Sequence, residues 1–147
     1  MKKMIQNLNN GILETESEEC IMAFWLFMLV MNLFVPAIMI VFGYIFQKHP
    51  PKDINEIYGY RTALSMKNED TWKTAHLVCG KVWSSWGFIN TGIALIGMSF
   101  LYEKDDAACG IYGGLLCMIE CVILLLTLLP VERIMHKIFH KDGTRKN

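Results

Sequence analysis

CIMAFWLFMLVMNLFVPAIMIVFGYIFQ, from Cys20 to Gln47, decides the fold, because these 28 residues contain no charged side chain. Two more apolar stretches follow: Val82 to Tyr102 has no charge in 21 residues, and Ala107 to Val131 has only Glu120 in 25. A helix needs roughly 20 apolar residues to cross about 30 Å of hydrocarbon. A soluble helix of this length would also show a polar stripe. The sequence therefore predicts an all-α integral membrane bundle of three helices.

Polar segments separate and flank these runs, and they set the boundaries. We expect membrane spans over residues 20–47, 77–102 and 107–131, with a structured loop over 48–76 and an amphipathic helix in the tail, 132–147. Pro50 and Pro51 end the first span, and Asn68 is a candidate N-cap from which the second helix begins inside the loop. Residues 1–19 form a polar N-terminal segment. Because acids such as Glu18 and Glu19 precede the first span, it is expected to be a retained anchor and not a cleaved leader.

The distribution of basic residues predicts the orientation. The first loop contains five Lys and Arg residues and the tail another five, whereas the turn between the second and third spans has only Lys104 among three acids. By the positive-inside rule, the loop and the C-terminus face the cytoplasm, and the N-terminus lies outside. The predicted location is therefore a cell membrane, crossed several times and in contact with its lipids.

The loop carries an unusual pattern of aromatic, cationic and backbone-shaping residues. Trp72, Trp83 and Trp86, with Tyr58 and Tyr60, are typical of an interfacial aromatic belt. Arg61 follows Gly59, which permits unusual backbone angles. Its planar guanidinium is suited to bind a carboxylate, a phosphate or helix-end carbonyls, and a plain contact with lipid headgroups is the simpler alternative.

Spaced residues in this loop and in the tail resemble the SdpI family of bacterial membrane immunity proteins. The resemblance covers roughly Asn55 to the C-terminus and rests on an ordered set: Gly59, Tyr60, Arg61, Thr62, Ser65, Asn68, Thr71, Trp72, Ala75, Gly80, Pro130, Glu132, Phe139, Asp142 and Gly143. It implies resistance to a secreted antimicrobial peptide toxin. In the best-known case it also implies signal transduction, in which a transcriptional repressor is held at the membrane. The signature residues of the loop are the predicted functional site.

Polar residues inside the predicted spans form a second candidate site. Asn32, Asn90 and Glu120 fall at similar depths, where an ionisable group costs on the order of 3 kcal/mol to insert. We expect these three to touch in the bundle centre with Glu120 protonated, either as a proton- or ligand-responsive site or as structural contact between helices. Stripes of small residues on the second and third helices, including Gly80, Gly87 and Gly113, predict that these two helices pack together or against a second copy.

Other chemistries are weakly supported by the sequence. The five cysteines are irregularly spaced, and only Cys20 and Cys109 are candidates for a disulfide at the outer edge. His136 with His140, and His76 with Cys79, share helix faces, but the sequence has no compact tetrahedral set, so no metal or other cofactor is predicted. No catalytic motif is present, and we expect neither an enzyme nor a nucleic-acid-binding protein.

The predicted function is therefore an immunity or sensing protein of the membrane, with a peptide toxin and a cytosolic repressor as partners. Two alternatives stay open. The first is a small oligomeric transporter or proton-linked channel built around Glu120. The second is a structural partner in a membrane assembly.

Overall fold

The computed structural model describes the backbone of residues 2–146 and the side chains of residues 19–146. Within these limits the chain forms four helices: α1 Lys2–Lys48, α2 Glu69–Ser99, α3 Asp106–Leu126 and α4 Leu128–Ile138. The described residues form no strand beyond an isolated bridge between Phe139 and Arg145. The prediction of an all-α bundle is therefore confirmed.

The N-terminal segment is continuous with the first predicted span. α1 is helical over 47 residues and contains Pro36, so residues 2–19 extend the helix instead of forming a separate element. The side chains of Lys2, Lys3 and the acids up to Glu18 lie outside the described part. From residue 19 onward, α1 carries the side chains against which α2 and α3 pack.

α1 is the central helix of the bundle. Gly43 of α1 lies against Ser84 and Gly80 of α2, and further along Gly87 lies against Ile40, so α1 and α2 run antiparallel. Gly110 of α3 lies near Phe24, and Gly113 lies near Met28 and Asn32, so α1 and α3 run parallel. The small-residue faces of α2 and α3 thus both meet α1, whereas the predicted contact of these faces with each other is limited: Gly113 of α3 also lies near Met98 of α2. The long side chains of α1 fill the space that the glycines leave open.

The exterior of the bundle is apolar, as expected for contact with lipid. Phe34, Phe88 and Leu125 are 61%, 66% and 63% exposed, in line with many other large apolar side chains on α1, α2 and α3. Two helical stretches, Glu19–Lys48 and Asp106–Ile138, are long and apolar enough to cross a membrane. Exposed apolar area of this extent is rare on soluble monomers and marks a membrane or protein contact.

Two ends of the bundle differ in character. At the end called here the loop end, residues 49–68, α4 and the tail cover the C-terminus of α1 and the N-terminus of α2. A hydrophobic cluster fills this end, and its buried members are Phe46, Tyr60, Leu64, Ala75, Cys79, Val131, Met135 and Phe139. At the opposite end, called the turn end, residues 100–105 connect α2 to α3.

The tail departs from the predicted helix over 132–147. α4 begins at Leu128, ends at Ile138 and buries Val131 and Met135 against the protein. After it the chain turns back through Gly143, whose φ is 90°, and the N–H of His140 donates to the carbonyl of Thr144. Because glycine accepts a positive φ without strain, the chain reverses here and the tail packs onto the loop.

Candidate functional site

Ser65 fixes the first turn of the signature loop, the part of the first loop that runs from Gly59 to Trp72. Its Oγ donates to the carbonyl of Tyr60 at 2.9 Å and accepts from the backbone N–H of Thr62 at 2.8 Å. Ser65 is fully buried, and a hydroxyl that both donates and accepts there satisfies backbone groups that would otherwise be unpaired. The backbone on both sides of Arg61 is therefore held in one conformation.

Asn68 and Thr71 form a capping box at the start of α2. The Asn68 Oδ1 atom accepts from the Thr71 N–H at 2.9 Å, and the Thr71 Oγ1 atom accepts from the Asn68 N–H at 3.1 Å. The predicted N-cap is thus confirmed. The same Asn68 amide donates to the carbonyl of Gly143 at 2.9 Å. One signature residue therefore starts α2 and also joins the tail to the loop.

The side chain of His76, on α2, contacts the backbone of the loop at Tyr60 and of α2 at Trp72. Its Nε2 atom accepts from the Tyr60 N–H at 2.9 Å, and its Nδ1 atom lies 2.8 Å from the Trp72 carbonyl. The first contact requires an unprotonated Nε2, so the proton is on Nδ1 and the ring is neutral. Burial lowers the pKa of His76 below its ordinary value. Both ring nitrogens are occupied, which leaves neither free for the metal site considered with Cys79.

Tyr60 connects the loop to α4. Its hydroxyl donates to the Oε1 atom of Glu132 at 3.1 Å, and burial, with the nearby Glu132 carboxylate second, raises the pKa of Tyr60. The other Glu132 oxygen lies 3.6 Å from His136 Nε2. Tyr60 is only 6% exposed and Trp72 is fully buried, with its indole N–H on the Pro51 carbonyl. The predicted aromatic belt is therefore wrong for these two residues, although Trp86 is exposed as a belt residue would be.

Arg61 differs from the other signature residues of the loop. Gly59 adopts a φ of 122°, as its position in the turn requires, and the side chains of Tyr60, Ser65, Asn68 and Trp72 each hydrogen-bond to another segment of the loop, the tail or α4. The Arg61 side chain is exposed. None of the three ion pairs found among residues 19–146 includes it. The loop thus presents one free guanidinium on a fixed backbone.

A cavity of about 480 Å³ lies between the loop and α4. It is lined by Thr62, Ala63, Leu64, Lys67, Glu132, His136 and Lys141. Glu132, which accepts from the Tyr60 hydroxyl, is thus part of its wall. Lys67 and Lys141 of this lining, with the exposed Arg61 next to Thr62 in the chain, give the loop end cationic groups suited to an anionic partner, such as a carboxylate or a phosphate.

The intramembrane polar residues are buried, but no hydrogen bond joins any two of them. Asn32, Asn90 and Glu120 are each fully buried. The two amides are directed at methionine sulfurs, Asn32 at Met98 and Asn90 at Met39. The amide oxygens and both Glu120 oxygens have no hydrogen-bond partner among the described residues.

Helix geometry separates Asn32 from the other two residues. Glu120 follows Gly113 by two turns on α3, and Met39 follows Asn32 by two turns on α1, so Glu120 and Asn90 lie at the level of Met39. Asn32 lies about 10 Å away along the bundle axis.

Some contacts of the structure could not be read from the sequence. The pairing of His76 with Tyr60 joins residues 16 positions apart, and the Tyr60 to Glu132 hydrogen bond joins residues 72 apart. The family resemblance pointed to Tyr60 and Glu132 separately, but not to their contact. Cys20 and Cys109, the candidate disulfide pair, are free thiols in the structure.

Comparison with known proteins assigns the chain to a family. The profile of the SdpI/YfhL protein family matches residues 52–131, which include the whole signature loop, α2 and α3. The chain belongs to the SdpI/YfhL family. It is similar to the protein described as uncharacterized protein YfhL of Bacillus subtilis (strain 168), with 29% identity over 106 residues, 72% of this chain and 86% of that protein. No solved structure matches the chain significantly.

Membership and the apolar helices together identify a membrane protein of this family. The assignment to the SdpI family, predicted from the spaced signature residues, is thereby confirmed. The match begins within the loop, before its signature residues, and ends within α4.

Proposed function

We propose that this chain is an immunity protein of the cell membrane, which gives resistance to a secreted antimicrobial peptide toxin and relays its presence to a cytosolic regulator. In this proposal the chain crosses the membrane three times. The loop end faces the cytoplasm and the turn end faces outward. Arg61 is the residue that contacts the regulator or another anionic partner.

The direction of the helices supports three crossings. α1 and α3 run parallel and each belongs to a stretch long enough to span. A chain that crosses twice in the same direction must return once in between, and α2 connects the two. With 31 residues, α2 is about 46 Å long, more than the hydrocarbon thickness of about 30 Å.

The charges at the two ends support the orientation. The loop end brings together basic residues from the first loop and the tail, among them Arg61, Lys67 and Lys141. The turn end carries Lys104 beside Glu103, Asp105 and Asp106. This asymmetry is the one that the positive-inside rule associates with a cytoplasmic loop end.

The observation that carries the functional proposal is the exposed Arg61 side chain, on a loop whose other polar signature side chains are hydrogen-bonded within the protein. A fold that needed Arg61 only for its own stability would pair the guanidinium with a carboxylate or with helix-end carbonyls. A fixed backbone reduces the entropy lost when a partner binds. The arrangement therefore favours recognition of an anionic group over a purely internal role.

Survival of a toxin-sensitive bacterium tests the proposal. Expression of the wild-type chain should raise survival under the toxin, and Arg61→Ala should return it to the level of cells without the protein, at unchanged protein abundance. Arg61→Lys should give only partial protection, because the lysine ammonium lacks the planar, bidentate hydrogen-bonding geometry of the guanidinium. The matched control is Arg133→Ala, which removes an exposed arginine from α4 and should leave survival unchanged.

Two outcomes would contradict different parts of the proposal. Equal survival with and without the wild-type chain, across candidate membrane-active peptides, would remove the immunity function. Full protection by Arg61→Ala would keep that function and exclude Arg61 from it.

A further inference from the structure

The turn end holds a second cavity, which none of the signature residues lines. It measures about 390 Å³ and is lined by Ile21, Met22, Trp25, Tyr102 and Glu103. We call it the Trp25 pocket. Its size falls within the range of about 300 to 1,000 Å³ that is typical of ligand sites. It lies at the opposite end of the bundle from Arg61, and a different ligand chemistry follows from its lining.

Two aromatic rings form the wall of the Trp25 pocket. Trp25 and Tyr102 meet edge to face, with ring centroids 5.2 Å apart and planes at 81°. The Trp25 indole N–H donates to the carbonyl of Met98 at 2.9 Å, which fixes the ring against the end of α2. Tyr102 is 48% exposed, so part of the aromatic surface is open. The face of an aromatic ring attracts a cation placed within about 6 Å of its centre.

Glu103 adds a carboxylate at the edge of the same pocket. It is exposed and takes part in none of the ion pairs found among residues 19–146. Asp105, Asp106 and Glu19 are also exposed at this end of the bundle, against the single base Lys104. A wall of aromatic rings next to unpaired carboxylates has the composition of a site for a positively charged group with apolar neighbours.

We infer that the Trp25 pocket binds a cationic, apolar peptide segment, with a lysine or arginine side chain held between Trp25, Tyr102 and Glu103. The apolar residues of the segment would lie on Ile21 and Met22. A zwitterionic lipid headgroup also carries an ammonium, but its phosphate would face the acids of the turn end. Charge complementarity therefore favours a peptide over a lipid. If the proposed immunity function is right, this segment belongs to the toxin, and the inference names the place where the toxin is met.

Binding of a labelled model peptide tests the inference without a toxin. The full-length protein in nanodiscs of phosphatidylcholine is titrated against a fluorescent peptide of leucines and lysines, with empty nanodiscs as background. A second peptide carries glutamine in place of every lysine. The cationic peptide should bind more tightly than the neutral one, and the difference should shrink at high salt.

Variants then locate the binding. Glu103→Gln removes the charge and keeps the shape of the side chain. It should lower the affinity for the cationic peptide about three- to fivefold, as expected for one exposed ion pair. Trp25→Leu should weaken it about two- to fivefold through the lost ring. The controls are Glu69→Gln, an exposed acid at the loop end, and Trp86→Leu, an exposed tryptophan of α2. Neither should change the affinity.

A further variant separates binding from folding. Glu103 has a φ of 67° and is the one non-glycine residue with a positive φ in the described part of the chain. Glycine adopts this conformation freely, so Glu103→Gly should raise the unfolding temperature and still weaken the cationic peptide. A glutamate that served only the fold would give no loss of peptide binding in either variant.

Several results would overturn the site. They are equal loss in Glu103→Gln and Glu69→Gln, or equal affinity for the two peptides, which is also the result expected if the zwitterionic lipid of the nanodisc occupies the pocket. Failure of the immunity function would show itself elsewhere, as unchanged bacterial survival while the pocket variants still lose the model peptide.

Discussion

At the residue scale, similar spacing in the sequence hides different roles. Gly59, Tyr60, Ser65, Asn68 and Trp72 shape or fix the loop, whereas the Arg61 side chain is exposed. The sequence groups all of these residues, since it shows their types and spacing but not which side chains are already hydrogen-bonded. The distinction between them depends on contacts with α4 and the tail, which lie far along the chain.

The neutral form of His76 gives the loop a dependence on pH. Burial lowers the pKa of His76 below 6.5, so near that pH the unfolded chain binds a proton that the folded chain does not. Stability from this residue is fully present above the unfolded pKa and is lost as the pH falls toward the folded pKa. We expect the unfolding temperature of the purified protein in detergent to fall between about pH 7 and pH 5.

A comparison of variants isolates this contribution. In His76→Gln, the side-chain oxygen can accept from the Tyr60 N–H without titrating, so the fall in unfolding temperature over the same pH interval should be smaller. His140→Gln, which changes an exposed histidine, should keep the full fall. An identical pH dependence in the wild type and His76→Gln would show that the histidine does not titrate with folding.

At the scale of helices, small residues decide how closely α1 approaches α2. A methyl group on Gly43 would lie 2.6 Å from Ser84 Oγ, 2.7 Å from the Ser84 backbone nitrogen and 3.0 Å from the Gly80 carbonyl oxygen. Backbone atoms cannot move aside as the end of a side chain can. The close contact of these two helices therefore needs glycine at position 43.

Gly43→Ala should accordingly destabilise the bundle, by about 1 to 3 kcal/mol. The matched control is Gly92→Ala on α2, where an added methyl group meets nothing within 4 Å. There the change should raise stability by about 0.5 to 1 kcal/mol, because alanine favours a helix over glycine. Unfolding of the two variants in one detergent measures the difference, and equal effects would mean that Gly43 is not at a tight contact.

The sequence predicted the helices better than their packing. Long uncharged runs fix where α1 and α3 lie, and Asn68 with Thr71 fixes the start of α2, because these signals are local. The faces that meet depend on residues 30 to 90 positions apart, so the small-residue stripes of α2 and α3 could not reveal that both pack on α1. The tail was predicted as one helix from its local amphipathic composition. Its reversal at Gly143 involves a hydrogen bond to Asn68, 75 positions away, which local composition does not reveal.

The polar residues within the bundle show the same limit. Burial of Asn32, Asn90 and Glu120 followed from their positions in apolar runs. The separation of Asn32 from the other two follows from an offset of about two helical turns, or roughly 10 Å. The unpaired oxygens of Glu120 and both asparagines therefore contribute little hydrogen bonding between helices.

At the scale of the whole molecule, the two ends of the bundle suit two different partners. The loop end combines a free guanidinium with basic residues around a cavity, and the turn end combines aromatic rings with exposed acids. α1, α2 and α3 connect these ends. In the proposed orientation, a cationic peptide meets the protein outside the cell and an anionic partner meets it inside.

Labelling of single cysteines in intact cells tests this topology most directly. In a variant with the five native cysteines replaced by serine, Lys104→Cys at the turn end and Lys67→Cys at the loop end are each treated with a membrane-impermeant maleimide. The account predicts that the cysteine at 104 reacts in intact cells, whereas the cysteine at 67 reacts only after the membrane is opened. Labelling of position 67 in intact cells would contradict it.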